Sequence, residues 1–160
     1  MLKELGRYKN LINPIFYQSE GIRKAILGKD YVQTYTTEDE IYEGLRPFIK
    51  SHLYVDDVML DMGTYLFYDV TVPYAQASMK TCHLVIYTFC NKEIIDTFNL
   101  KGYEGNRVDI MCQLIEEAVT DPEIIRKYGI GKMQLRDCQI FTRQKNVYGK
   151  ILDFEVPNFM

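Results

Sequence analysis

Four aspartates, at positions 56, 57, 61 and 69, crowd one short stretch of the chain. Carboxylates on adjacent strands are how hydrolytic sites hold Mg²⁺ and orient water, so Asp57 and Asp69 are the residues a metal-dependent nuclease would use. Such sites usually add a lysine, often as E-x-K on the next strand. Here Lys80 follows a loop and no E-x-K falls on a strand, so solvated strand edges are the expectation. A Cys–His nucleophile drawn from Cys82 and His83 fails on geometry, because consecutive residues of a strand point to opposite faces. His52 would reach Cys82 only through tertiary folding. There is no G-x-S-x-G elbow and no P-loop. GYEGNR (102–107) precedes a helix and could cradle an anion at its N-terminus. Glu104 would repel a phosphate, however, and an ordinary turn is expected. The cysteines at 82, 90, 112 and 138 form no C-x-x-C, and His52 and His83 have no partner at ligand spacing. Buried free thiols are expected rather than a zinc site or a disulfide framework. Arg143, Lys145, Tyr148 and Lys150 gather into a small basic tip that either touches a partner or DNA or is a solvated turn. No cofactor or metal is expected.

The chain has 160 residues, 47% of them hydrophobic, which is enough for one domain with a sizeable core. A net charge of −3 argues against a broad nucleic-acid face, which needs clustered Lys and Arg. No apolar run reaches the ~18 residues that span a bilayer, and the N-terminus lacks a signal-peptide apolar segment. No membrane role and folding in a cytosol are therefore expected. Thirteen tyrosines without a tryptophan suit half-buried strands, and the surplus suits an assembly surface.

The element that must organise these residues is GYEGNRVDIMCQLIEEAVTDPEIIRKYGIGKMQL, residues 102–135. Asn106 reads as an N-cap with Asp109 three residues on. Val108, Met111, Cys112, Ile115, Ala118 and Val119 form an apolar stripe at helical spacing. Thr120 or Asp121 caps a second short helix opened by Pro122 and closed by Gly129. Upstream, residues 2–17 read as a helix that Pro14 should end or kink near Asn13. Ser19 caps a short helix stopped by Gly28, KDYVQTY reads as extended or loop, and Thr37 with Glu40 opens a third helix limited by Pro47.

From residue 52 the period becomes strand-like: HLYVDDVML, TYLFYDVTVP and KTCHLVIYTFC, with a turn at 61–63 and a loop at 73–79. Residues 91–105 form a long connection, a length that is often functional. KMQLRDCQIF follows the helix as a strand with Met133, Leu135 and Ile140 as core candidates. TRQKNVYG connects it to a last strand, KILDFEVPNF, making a hairpin. The order predicts one α+β domain over 1–160, an antiparallel or mixed sheet packed on one face by helices, with a helical N-terminal part over 1–50 and the sheet, central helix and hairpin over 51–160.

The segments FIKSHLYVDDVMLDMGTYLFYDVTVP, HLVIYTFC, RVDIMCQLIEEAV, GIGKMQL and YGKILDFEVPNF stand in an order and spacing similar to those of small neck and tail-attachment proteins of tailed bacteriophages. An aromatic-Val dipeptide precedes an acidic bend, then a Tyr-rich strand. The likeness runs from about residue 45 to the C-terminus. The chain thus resembles the tail terminator and head–tail connector group. That resemblance implies an α+β subunit of a ring, commonly hexameric, that caps the tail tube and joins it to the filled head. It brings no catalytic residues. The implied partners are other copies of the chain, the tail tube protein and a neck or connector protein, with passing contact to DNA in the lumen; the implied location is the virion, after synthesis in the host cytoplasm. Family rings often make contacts through a strand-to-helix loop and a hairpin, here 91–105 and 142–150. The candidate interface is therefore Ile94, Ile95, Phe98, Tyr103, Arg107, Arg143, Lys145 and Tyr148, and the loop is expected to gain order on assembly. The alternatives are a nuclease and a protein-binding adaptor outside the virion.

Overall fold

A computed structural model describes residues 2–55, 61–72, 75–76, 79–80, 82–129, 131–141 and 146–156. The chain opens with four helices: α1 Leu2–Gln18, α2 Glu20–Leu27, α3 Tyr31–Thr34 and α4 Glu38–Leu45. Strands β1 Ile49–Lys50, β2 Thr64–Thr71, β3 Ala75–Gln76, β4 Met79–Lys80 and β5 Cys82–Asn91 follow. Then come α5 Arg107–Thr120, α6 Pro122–Tyr128, β6 Gln134–Phe141 and β7 Val147–Val156. Five strands form one sheet in the order β1-β2-β5-β7-β6, with β1 parallel to β2 and the other pairs antiparallel. β3 and β4 pair separately. The fold is α+β with a mixed sheet. Among the described residues no helix is long and apolar enough to cross a membrane.

The period-2 pattern of the strands separates two apolar clusters. Leu66, Tyr68 and Val70 of β2, Leu84 and Ile86 of β5, and Leu152, Phe154 and Val156 of β7 face the helices. They meet Ile12, Ile15 and Phe16 of α1, Ile22 of α2, and Ile110, Met111, Leu114 and Ile115 of α5. On the opposite face Tyr65, Phe67, Tyr87, Phe89, Phe141 and Val147 form a second cluster, packed by Phe48, Leu53 and Val55. Its rings run as a column across the strands. Tyr65 stacks on Phe89 at 5.0 Å and 11°, and Phe89 on Phe141 at 5.4 Å and 18°. Phe89 and Phe141 both lie opposite Gly149 of β7, so their rings close over the strand position that has no side chain.

The structure corrects several expectations. α1 runs through Pro14 without ending. A proline in a helix interior costs ~3 kcal/mol or more, but Ile12, Ile15, Phe16 and Tyr17 on either side of it are buried, each worth ~1.5–3 kcal/mol. Tyr68 also donates to Asn13 Oδ1 at 2.6 Å. KDYVQTY holds the helical turn α3 because Tyr31 must reach the core. No strand covers residues 52–55; β1 ends at Lys50, and residues 56–60, with Asp56 and Asp57, lie outside the described residues. The stretch read as a loop at 73–79 includes the short strand β3 and the first residue of β4. Leu135 and Ile140 are not core; they are 41% and 62% exposed. β6 is an outer strand of the sheet, and α5 packs on β5 and β7 instead. Six of the tyrosines (8, 17, 31, 65, 68 and 87) are buried, so the core absorbs much of the surplus.

Candidate functional site

Residues 91–105 leave the end of β5 and lead into α5. Asn91 Oδ1 accepts from the Gly63 N–H at 2.8 Å, and the Lys92 N–H donates to Asn146 O at 3.0 Å. A 3-10 turn spans Lys92–Ile94. The far end is held by α5 itself: the Arg107 N–H donates to Ile95 O at 2.9 Å, the Gln113 amide donates to Glu104 O at 2.7 Å, and the Tyr103 hydroxyl donates to Glu117. These bonds tie the loop to the residues just before β2 and β7 at one end and to α5 at the other.

Arg107, the first residue of α5, makes the central contacts. Its Nε donates to Ile94 O at 3.1 Å. One Nη donates to Ala25 O at 2.9 Å and to Thr64 Oγ1 at 3.1 Å, and the other to Thr97 Oγ1 at 3.0 Å. The guanidinium also lies 5.0 Å from the Phe98 ring centroid. One side chain thus joins α2, β2, the loop and α5. Every acceptor is neutral, and burial shifts the guanidinium pKa downward, the direction of an unshared buried charge.

Around Arg107 lies a pocket of about 580 Å³, walled by residues 24–29 at the end of α2, residues 62–64, and Ile94, Thr97, Phe98 and Asn99 of the loop. Of the candidate residues, the structure brings together Ile94, Phe98 and Arg107 here, with Ile95 beside them. Phe98 is buried against the main core. Tyr103 sits farther along the loop against α5. Tyr148 is half-buried on β7, while Arg143 and Lys145 lie outside the described residues. The pocket's other wall, Lys24 to Lys29, was not legible in the sequence, because nothing in it pairs the end of α2 with a loop seventy residues away.

The helix end beyond the loop is filled by its own acid. Asn106 accepts from the Asp109 N–H at 3.0 Å, and Asp109 accepts from the Asn106 N–H at 2.9 Å. That reciprocal box occupies the place where an anion would dock on GYEGNR. Lys150 of β7 adds an ion pair to Asp109 at 2.8 Å. Burial would raise the Asp109 pKa, but the Lys150 and Asn106 bonds outweigh it and the net shift is downward. A depressed carboxylate contributes stability that is present above its unfolded pKa, about 4, and is lost as pH falls through the folded value. Asp109→Ala should cost about 1–2 kcal/mol at neutral pH. The gap between variant and wild type should close in acid, measured by urea unfolding across pH.

Among the described residues, the remaining candidates do not converge on a reaction centre. Asp69 is ion-paired with Lys9 at 2.6 Å. His83 meets Asp153 at 2.8 Å. His52 lies against Phe67 on the aromatic face, whereas Cys82 is buried among the helix-side residues, so the two are on opposite sides of the sheet. Among the described residues no group of three or more His, Cys, Asp or Glu is placed to hold a metal. Burial pushes the thiols of Cys82, Cys90 and Cys112 up to about 12, 11 and 12, with Arg107 partly offsetting the rise at Cys90 and Cys138 adding to it at Cys112. Cys138 departs from the expectation of burial and is exposed on the outer strand. Native protein should therefore show one fast thiol towards a disulfide reagent at mildly alkaline pH and four after unfolding. Cys138→Ser should remove the fast one.

No curated protein matches the sequence. A family model does, over residues 10–156, from the middle of α1 to the last residue of β7. The chain belongs to the YomW family, a phage-derived family.

Proposed function

We propose that the protein is a structural subunit of a tailed-phage virion, a ring-forming tail terminator or neck protein that caps the tail tube and joins it to the head. Its role in this reading is assembly rather than catalysis. Its partners are further copies of itself, the tail tube protein and a connector on the head side, and its site of action is the virion, after synthesis in the host cytoplasm. The observation that carries the reading is β6. Residues 134–140 are exposed along β6, an outer strand of the sheet, and an outer strand is an edge that a neighbour's strand can pair with. Membership of a phage-derived family supports it, as does the resemblance of the segment order to that of neck proteins. An acidic lumen would let DNA slide without sticking.

Phage lacking the protein should yield filled heads and tails that fail to join, or tails of irregular length, seen by electron microscopy of lysates. Normal infectious particles from the deletion would overturn the proposal.

A further inference from the structure

The pocket beside Arg107 is basic on every charged side. Lys24, Lys29 and Arg107 are its charged lining residues, and no carboxylate lines it. Lys24 is shared with Glu20 at 3.1 Å, whose side chain is 72% exposed. Lys29 donates to the neutral Asn99 amide at 2.6 Å and stands 5.7 Å from the Phe98 ring. Arg107 commits four N–H contacts to neutral oxygens and has no carboxylate within ion-pair distance among the described residues. A guanidinium carries five N–H groups, which leaves one unused. Arg107 is a half-buried cation without a carboxylate partner, a cost that a bound anion would relieve, and Lys24 and the exposed Lys29 stand beside it. The last turn of α2 would ordinarily oppose an anion through its free carbonyls. Here Ala25 O accepts from Arg107 and Lys24 O accepts from the Gly28 N–H, so those carbonyls are engaged. The rest of the lining includes Ile26, Leu27, Ile94 and Phe98, which suit an apolar stem.

We infer that this pocket is a binding site for a carboxylate carried on a short aliphatic stem, with the carboxylate among Lys24, Lys29 and Arg107 and the stem against Ile94 and Phe98. Two sources carry such a group: a free aliphatic acid, and an acidic side chain from a second copy. The same chain offers the second source. Asp39, Glu40 and Glu43 of α4 line a separate concavity of about 590 Å³, with Glu43 also paired to Arg46 at 2.9 Å. Unlike patches on one chain give a head-to-tail contact, the kind that closes rings; this source rests on the ring reading, and the pocket does not.

The test titrates isotope-labelled full-length protein with pentanoate, with a peptide of residues 36–46, and with pentanol as the neutral control, followed by amide and Arg107 Nε–H chemical shifts. Saturable shifts at residues 24–29, 97–99 and Arg107 are expected with a carboxylate-bearing probe and not with pentanol. They should weaken at least about tenfold, ~1.4 kcal/mol, in Lys24→Gln/Lys29→Gln, which leaves the Arg107 bonds in place. Tighter binding of the peptide assigns the source to a second copy; saturation by pentanoate alone assigns it to a free acid. Equal shifts with pentanol, or none with either carboxylate probe into the tens of millimolar, would overturn the inference whatever the phage assay shows.

Discussion

Arg107→Ala should destabilise the protein by about 3 kcal/mol, because it removes four hydrogen bonds of a half-buried charged group at once. The physical reason is less the removed charge than what it leaves behind. Ile94 O, Ala25 O, Thr64 Oγ1 and Thr97 Oγ1 lose their donor together, and Thr64 and Ala25 are each 1% exposed while Arg107 covers them. A hydrogen bond to a charged group contributes ~1.5–3 kcal/mol, and bonds sharing one side chain do not add fully. At ~2–4 °C per kcal/mol for a chain of this size, the melting temperature should fall by roughly 10 °C. Arg107→Lys keeps the charge but not the planar fork, and should recover less than half of the loss. Amide exchange should be fastest where the clamp acted, in residues 94–98 and at the end of α2. A loss below about 1 kcal/mol would mean that solvent, not Arg107, satisfies these oxygens.

Gly149→Ala is the second large effect, and it acts through overpacking. A Cβ at this position would stand 2.4 Å from Phe89 Cβ, 2.6 Å from Thr88 O and 2.9 Å from Phe89 Cα. Two of these atoms belong to the backbone of β5 and the third is fixed directly to it, so no side-chain rotation relieves the contact. Overpacking a formed core costs ~1–3 kcal/mol, and separating β5 from β7 at the centre of the sheet should place this variant at or above the top of that range. The Phe89–Phe141 stack should loosen with it, visible as a change in near-ultraviolet circular dichroism. Trimming Phe141 to leucine should not rescue it, because the clash is with β5. Gly6→Ala provides the contrast: its Cβ would meet nothing within 4 Å inside α1, and helix propensity predicts a gain of ~0.5–1 kcal/mol. A neutral Gly149→Ala would refute the assignment of this glycine to a closely packed ladder.

These two residues mark the limits of a one-dimensional reading. Arg107 was named only as an interface candidate, through the resemblance to ring-forming neck proteins, and its partners Ala25 and Thr64 are 82 and 43 positions away. Gly149 falls at the end of a stretch read as a connector. Its place in β7 is set by pairing with Phe89 and Phe141. The basic hairpin tip was legible only as composition.

What the sequence determined by itself was local. The Asn106–Asp109 box, the Ser19 and Asp121 caps, Pro122 at the start of α6 and left-handed Gly129 at its end all depend on groups within a turn of one another. The alternation of β7 and the stripe of α5 likewise follow from the two backbone periods. The tertiary structure decided whatever depends on distant partners: that α1 survives Pro14, that Leu135 and Ile140 lie exposed on an outer strand, and that a second aromatic core covers the sheet's far face. It also decided that three cations share one pocket without an acid. Burial and charge compensation are sums over neighbours in space, and strand order, which sets those neighbours, is encoded by no single stretch of the chain.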